Sequence, residues 1–199
     1  MFVNADAMGK SMQGAGGALV FGSVFQSIVQ RTKTDARFQN LAPDVWLKSI
    51  FQELQLIFET FDGTMLVSLS LGLIAEGTGK LFFLNAEHPM IVLFRNGKAN
   101  YLFPTVSYRK LGTLGANSAK EVNEFQLQPQ DVLFIGSDGK DDLLSKNREG
   151  GWEVLSEDEN FLEIVAKTKG NLEQMIQEID SIGQVIDDIS IIRIAYETK

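Results

Sequence analysis

The sequence of 199 residues contains no cysteine and a single histidine, His88. Without thiols, the chain has no disulfides and no thiolate metal sites. A catalytic zinc ion normally needs two or three histidine or cysteine ligands, so zinc hydrolase chemistry is nearly excluded. Any metal must be bound through oxygen atoms, which favours Mg²⁺ or Mn²⁺.

Basic residues are also scarce, with 18 Lys and Arg against 26 Asp and Glu, which gives a net charge of −8. A chain this acidic is repelled by a phosphate backbone, so no nucleic-acid partner is expected. We find no signal peptide and no apolar run near the ~20 residues that cross a bilayer. A cytoplasmic protein without direct membrane insertion is expected.

The pattern of apolar residues predicts helices and strands along the whole chain. A glycine-rich helix is expected over residues 14–31, packed on a sheet, and an amphipathic helix begins at Pro43. Two more helices are expected near residues 157–169 and 171–183. The predicted strands cover residues 65–75, 80–86, 90–95, 98–103, 121–128, 132–137 and 189–196. Their short connections predict largely antiparallel pairing, and hence an α+β fold.

The segment NADAMGKS near the N-terminus resembles the end of a phosphate-binding loop at Gly9-Lys10-Ser11. However, Asn4 stands where that loop has its first glycine, and the carboxylate of Asp6 would repel a phosphate. A nucleotide-binding protein is therefore a weak alternative, and a strand-to-helix turn without a function is another.

Acidic residues lie at the ends of several predicted strands. Asp138 follows the apolar strand VLFIGS, Asp187 and Asp188 precede ISIIRI, and Asp6 comes shortly after Met1-Phe2-Val3, which is predicted to be the end of a strand. Each alone is more typical of a turn or a solvated acid. If the strand ends meet at one sheet edge, however, the clustered carboxylates require a cation to offset their repulsion.

Together, the segments DAMGKS, NAEHP, LGTLG, SDGKDDLLS and DDISIIRI resemble the metal-dependent protein phosphatases of type 2C (the PPM family). The resemblance is to the bacterial branch with SpoIIE-like and RsbU-like domains, and it extends from Asp6 to Ile194. It implies a sandwich of two antiparallel β-sheets flanked by helices. It also implies hydrolysis of phosphoserine and phosphothreonine by a water activated by two Mn²⁺ or Mg²⁺ ions.

The resemblance also assigns the metal ligands. Asp6 would bridge both ions, the backbone carbonyl of Ala7 would bind one of them, and Asp138 and Asp187 would bind the other. Gly139 would let the backbone pass close to the site. Asp6, Asp138 and Asp187 are thus the predicted catalytic residues.

Several nearby residues are expected to have lesser roles. Asp188 would be an outer ligand, and Asp142 would stabilise the turn that follows Asp138. His88, in NAEHPM, is either a proton donor or phosphate contact, or a turn residue bonded to the backbone; the second reading is favoured. Arg109 and Lys110 lie in the segment 107–115, which is expected to form a mobile flap.

The sequence departs from the family pattern at two places. Gly9-Lys10-Ser11 replaces a usual Gly-His-Gly, and Lys10 is expected either near substrate phosphate or in solvent. The family also has a Gly-Gly-Asp strand upstream of Asp6, so residues 1–199 are expected to form one phosphatase domain without its N-terminal strands. One metal position is expected to be weak.

The expected setting is a longer bacterial signalling protein, in which a sensor domain precedes this phosphatase domain at the C-terminal end. By family analogy, the substrate would be a phosphorylated regulator such as an anti-sigma-factor antagonist, and a homodimer is one expected assembly. The alternative function is a degenerate phosphatase domain that binds a phosphoprotein without turnover.

Overall fold

A computed structural model describes residues 1–9, 12–116, 121–146, 152–155 and 158–197. The chain divides into two compact units. Unit 1 consists of Met1–His88 and Pro104–Gln126, and unit 2 of Pro89–Phe103 and Leu127–Lys199.

The helices and strands are numbered along the chain. The helices are α1 (Met12–Thr34), α2 (Ala36–Gln39), α3 (Pro43–Glu59), α4 (Asp158–Lys167) and α5 (Leu172–Ile182), with a 3-10 helix at Asp138–Lys140. The strands are β1 (Phe2–Ala7), β2 (Val67–Ala75), β3 (Lys80–Ala86), β4 (Ile91–Arg95), β5 (Lys98–Leu102), β6 (Asn123–Gln126), β7 (Val132–Gly136), β8 (Leu143–Lys146), β9 (Trp152–Leu155), β10 (Gln184–Val185) and β11 (Ile191–Ala195).

Unit 1 is built on an antiparallel sheet with the strand order β1-β2-β3-β6. Because side chains alternate along a strand, each strand presents one set of residues to each face of the sheet. One face packs with α1 and α3 into a single apolar core, whose fully buried members include Leu47, Leu54, Phe58, Leu69, Leu71 and Leu84. The other face is polar at one end, where Asn4, Ser70 and Asn85 lie in register across three strands.

Unit 2 contains an antiparallel sheet with the order β11-β7-β4-β5 and a smaller sheet with the order β10-β8-β9. The central strand β7 is buried along its whole length. Its residue Phe134 packs in a core with residues of α4 and α5, namely Phe161, Ile164, Val165, Met175 and Ile179. This core fixes the position of the chain that leaves β7, which contains Asp138.

The α+β class and the antiparallel pairing predicted from the sequence are confirmed. Two features were missed. Neither the short helix α2, which follows α1, nor the small sheet β10-β8-β9 was predicted. The segment KNREGGW, which the sequence pattern indicates is an insert, begins in β8 and ends in β9, and its residues 147–151 lie outside the described residues.

Helix α1 has the length and apolar composition of a segment that could cross a bilayer. It is the one helix among the described residues with these properties. The prediction that no apolar run approaches the length of a membrane span was therefore wrong for this segment. Composition alone is weak evidence for a membrane span, since core helices pass the same criterion. In unit 1, Phe21, Phe25 and Ile28 of α1 belong to the core.

Candidate metal centre

Two of the acidic segments predicted as metal ligands meet in unit 2. Strands β7 and β11 are antiparallel neighbours, with Gly136 opposite Ile191. The end of β7 and the start of β11 therefore lie at the same edge of the sheet. This topology brings Asp138 beside Asp187 and Asp188, as the sequence predicted for these two strands.

Ser137 joins the two acidic segments directly. Its buried hydroxyl donates to the carbonyl oxygen of Asp188 (3.0 Å) and accepts from the backbone N–H of Ser190 (3.0 Å). Its own N–H donates to the carbonyl of Ser190 (3.0 Å). Ser137 therefore holds the start of the 3-10 helix against the segment that precedes β11, a role that sequence reasoning did not assign.

Gly139 is required by the close approach of these segments. A Cβ atom on Gly139 would lie 2.9 Å from the carbonyl carbon of Asp188 and 3.1 Å from the carbonyl oxygen of Asp187, and it would clash with the carbonyl oxygen of Asp188. Ordinary carbon contacts are about 3.5–4.0 Å, so no side chain fits here. The predicted close passage of the backbone at Gly139 is present.

The pKa of the Asp142 carboxyl group is affected by burial and by the negative charges of Asp138 and Asp187. Burial raises its pKa above the ordinary value, and the charges of Asp138 and Asp187 raise it further, while Lys140 acts in the opposite direction. The backbone of Asp142 also does what was expected of a turn residue. Its N–H donates to the carbonyl of Asp138 (3.2 Å), and its carbonyl accepts from the N–H of Ile186 (3.3 Å).

Lys140 is a buried cation next to the acids, and nothing in the local sequence pattern predicts its burial. Only 2% of its side chain is exposed, and its ammonium group pairs with Asp141. The same nitrogen lies 5.0 Å from the ring centroid of Phe161 in α4. Lys140 thus attaches the 3-10 helix to the core of unit 2 through a paired charge and a cation–π contact.

Asp6, the third predicted catalytic acid, lies in unit 1. It is the fifth residue of β1, is partly exposed, and stands opposite Ser68 of β2. Ala7 ends the strand opposite Val67, and the N–H of Met8 then donates to the carbonyl of Leu66 (2.8 Å). These backbone bonds continue the β1–β2 pairing past Asp6.

Small residues of α1 allow the helix to lie against this end of β1. A Cβ atom on Gly14 would clash with the carbonyl oxygen of Gly9, and one on Gly17 would lie 3.1 Å from Cβ of Ala7. Gly9 itself has φ +109°, a backbone conformation that favours glycine. The glycines thus have a packing role. Lys10 and Ser11 lie outside the described residues, so the two readings of Lys10 stay predictions.

His88 has a structural position in unit 1, as was favoured from the sequence, but its ring contacts side chains where a contact with the backbone was expected. Its ring is buried, and both ring nitrogens are within hydrogen-bond distance of a side chain of unit 1, Ser68 at 2.9 Å and Asn4 at 3.1 Å. A neutral ring protonated at Nε2 matches both contacts, since Oδ1 of Asn4 is an acceptor.

The segment 107–115 is anchored to unit 1. Tyr108 and Leu111 are buried and form backbone hydrogen bonds with Asn85 and Val67, respectively. The expectation of a mobile flap therefore does not describe residues 108–112. Arg109 is exposed and pairs with Glu87 at 2.8 Å.

The sequence left open whether three strand ends meet at one sheet edge. They do not, because β1 belongs to a different sheet from β7 and β11. Within the described ranges, moreover, no group of three or more His, Asp or Glu side chains is arranged to hold a metal ion. The set Asp6, Ala7, Asp138, Gly139, Asp187 and Asp188 therefore stays a prediction.

The donor chemistry nevertheless fits a hard divalent cation. Asp138, Asp187 and Asp188 are exposed carboxylates in one short region of unit 2, and the pKa of Asp142 is raised by two of them. Mg²⁺ and Mn²⁺ prefer such oxygen ligands. Unit 1 offers the same kind of ligand in Asp6 and the carbonyl of Ala7.

Comparison with solved structures defines the class of fold. The chain is similar to the SiaA-PP2C domain of Pseudomonas aeruginosa, with a TM-score of 0.73 and 14% identity, covering 98% of this chain and 75% of that one. It is also similar to the RsbU and RsbW domains of Rv1364c from Mycobacterium tuberculosis, with a TM-score of 0.68, 14% identity, and coverage of 98% and 51%. The catalytic domain of the serine threonine protein phosphatase PstP, in complex with two manganese ions, gives a TM-score of 0.60, 15% identity, and coverage of 98% and 86%. The fold is that of the PP2C-type (PPM) phosphatases.

The chain belongs to the Stage II sporulation protein E (SpoIIE) family, whose sequence profile matches residues 1–197. The resemblance inferred from the motifs is thereby confirmed. No curated protein sequence matches the chain. The chain spans about half the length of the RsbU–RsbW protein that it matches.

Proposed function

We propose that this chain is the phosphatase domain of a bacterial signalling protein, hydrolysing phosphoserine or phosphothreonine with divalent metal ions. The observation that carries the proposal is the junction of unit 2. There, Ser137 and Gly139 bring Asp138 within a short distance of the Asp187–Asp188 backbone. Membership of the SpoIIE family and the PP2C-type fold support it.

The proposed roles follow from the chemistry of the residues. Asp138 and Asp187 would hold one ion, and Asp6 would bridge both, with the carbonyl of Ala7 on the second. When bound, such ions would supply a water whose pKa is lowered toward ~7 and would offset charge on the phosphoryl oxygens. Asp188 orients the segment through its backbone, since its carbonyl accepts from Ser137 and its N–H donates to the Asp187 carboxylate (2.8 Å). The manganese-bound PstP relative supports Mn²⁺ as the test ion.

The proposed substrate is a phosphorylated regulatory protein in the cytoplasm. The similarity to an RsbU domain that shares a chain with an RsbW domain supports a regulatory setting. An anti-sigma-factor antagonist, an upstream sensor domain and a homodimer are proposals of the same kind, made by family analogy.

The test is Mn²⁺-dependent hydrolysis of p-nitrophenyl phosphate and of a phosphoserine peptide. Turnover should require Mn²⁺, disappear with EDTA, and fall at least about tenfold in Asp138→Asn, since metal sites respond at this scale to lost contacts. The matched control is Asp180→Asn, an exposed acid in α5, which should keep the wild-type rate. Absence of turnover from the full-length protein would refute the proposed phosphatase activity. Phosphopeptide binding without turnover would support the degenerate binding domain instead.

A further inference from the structure

His88 lies at the centre of a polar network in unit 1 that includes Asn4 and Ser68, two residues next to Asp6 in the β1–β2 pairing. The residue follows β3 in a turn, and Asn85 holds its backbone from both sides. The N–H of His88 donates to Oδ1 of Asn85 (3.1 Å), and Nδ2 of Asn85 donates to the carbonyl of His88 (2.9 Å). The histidine backbone is therefore fixed to the end of β3.

The imidazole ring extends from this turn to the other two strands. Nδ1 lies 2.9 Å from the hydroxyl of Ser68 in β2, and Nε2 lies 3.1 Å from Oδ1 of Asn4 in β1. The ring, Ser68 and Asn4 are all at least 93% buried. Hydrogen bonds in such a place are costly to lose, because the freed groups have no water as a substitute.

The two partners of the ring bracket Asp6. Ser68 is the residue directly opposite Asp6 in the β1–β2 register. Asn4 precedes Asp6 by two positions, so both side chains leave β1 on the same face. The side chain of His88 thus contacts Ser68, which lies opposite Asp6, and Asn4, which is the preceding residue on the same face of β1.

We propose that His88 is a positioning residue for Asp6: it locks the place of β1 relative to β2 and β3, and so fixes the carboxylate that would bridge two metal ions. The inference deepens the proposed function and rests on it. It assigns to His88 neither a proton transfer nor contact with phosphate.

The physical expectation is a loss of metal affinity that exceeds any general loss of stability. Removing the ring leaves Ser68 and Asn4 without this bridge and loosens the side-chain packing beside Asp6, while the backbone pairing of β1 with β2 remains. Loss of groups that orient a metal ligand typically weakens metal binding about 10–100-fold. A residue that only stabilises the fold would lower the melting temperature and leave the affinity of the folded protein unchanged.

The experiment is calorimetric titration of Mn²⁺ into the full-length protein and its variants, with melting temperatures measured in parallel. His88→Ala should weaken the Mn²⁺ Kd at least about tenfold. The matched control is Gln55→Ala, because Gln55 is a buried polar residue of unit 1 that bonds Gly112 and Thr113 and is not bonded to β1. It should lower the melting temperature while keeping the wild-type Kd.

Two further variants keep the proposal testable if His88→Ala unfolds. His88→Asn keeps a polar group near the place of Nδ1, and it should retain the fold and lie between wild type and alanine in Kd. In the His88→Ala or His88→Asn background, Asn4→Ala should add little further loss, because both substitutions remove the same contact.

The outcomes separate the two proposals. Wild-type Mn²⁺ affinity in folded His88→Ala or His88→Asn would overturn the positioning role alone. An equal loss of affinity in Gln55→Ala would overturn it as well, by showing a general effect of instability. If wild type binds no Mn²⁺, the proposed function fails, and the inference that rests on it fails too.

Discussion

Gly139 offers the sharpest test of the junction between the two acidic segments of unit 2. An added Cβ would stand 2.9 Å from the carbonyl carbon of Asp188 and 3.1 Å from the carbonyl oxygen of Asp187. Because ordinary contacts begin near 3.5 Å, the two segments must separate by roughly 0.5–1 Å in Gly139→Ala. A misplacement of about 1 Å in a reacting group costs up to ~100-fold in rate, so we expect a loss of about 10–100-fold in turnover.

The assay is Mn²⁺-dependent phosphatase turnover of Gly139→Ala together with its Mn²⁺ Kd and melting temperature. The matched control is Gly77→Ala, because a Cβ on Gly77 meets no atom within 4 Å and its φ is not in the left-handed region. The control should keep wild-type turnover. If folded Gly139→Ala works within twofold of wild type, the reasoning about the close approach is refuted.

Three other substitutions test separate parts of unit 2. Ser137→Ala should reduce turnover and lower the unfolding free energy by about 1–3 kcal/mol, because two buried hydrogen bonds of the hydroxyl are lost. Ser137→Thr keeps the hydroxyl, and an equal loss of stability in both variants would contradict the role of these hydrogen bonds. Asp142→Asn should raise the melting temperature of metal-free protein at pH 7 by about 1–3 °C. The pKa of Asp142 is raised in the folded state, so its carboxyl group stabilises the fold below the unfolded pKa and loses this contribution as pH rises. The gain in melting temperature from Asp142→Asn should therefore vanish near pH 3. A gain that does not change with pH would refute the charge of Asp142 as its cause. Arg95→Ala should destabilise by about 3–5 kcal/mol, because it leaves the buried carboxylate of Asp131 without its bidentate partner, and a chemical denaturation midpoint equal to wild type would contradict this.

Local patterns in the sequence were sufficient to predict most elements of the fold. The strands predicted over residues 90–95 and 98–103 are joined by the short turn at Asn96-Gly97, and they form the β4–β5 hairpin. Pro43 marked the first residue of α3. The missed small sheet shows the limit of this reasoning. Its strands β8, β9 and β10 have four residues or fewer, and β10 pairs with a strand forty residues earlier in the chain, so no local signal identifies them.

In the candidate site, too, local signals were predictable and contacts between distant segments were not. The acids Asp138 and Asp187 were predictable, because each borders a strongly apolar strand. Ser137 was not, because its partners Asp188 and Ser190 are brought near it by the pairing of β7 and β11. The burial of Lys140 was also not predictable, since a lysine between two acidic positions is usually exposed. Its contacts with Asp141 and Phe161 depend on the packing of α4.

The central proposal is that Asp6, Asp138 and Asp187 are each ligands of divalent ions, and Mn²⁺ titration of the three Asp→Asn variants tests it most directly. The account predicts measurable Mn²⁺ binding by the full-length protein, with affinity reduced at least about tenfold in each variant and unchanged in the exposed control Asp180→Asn. Equal Mn²⁺ affinity in wild type and in all three variants would contradict it.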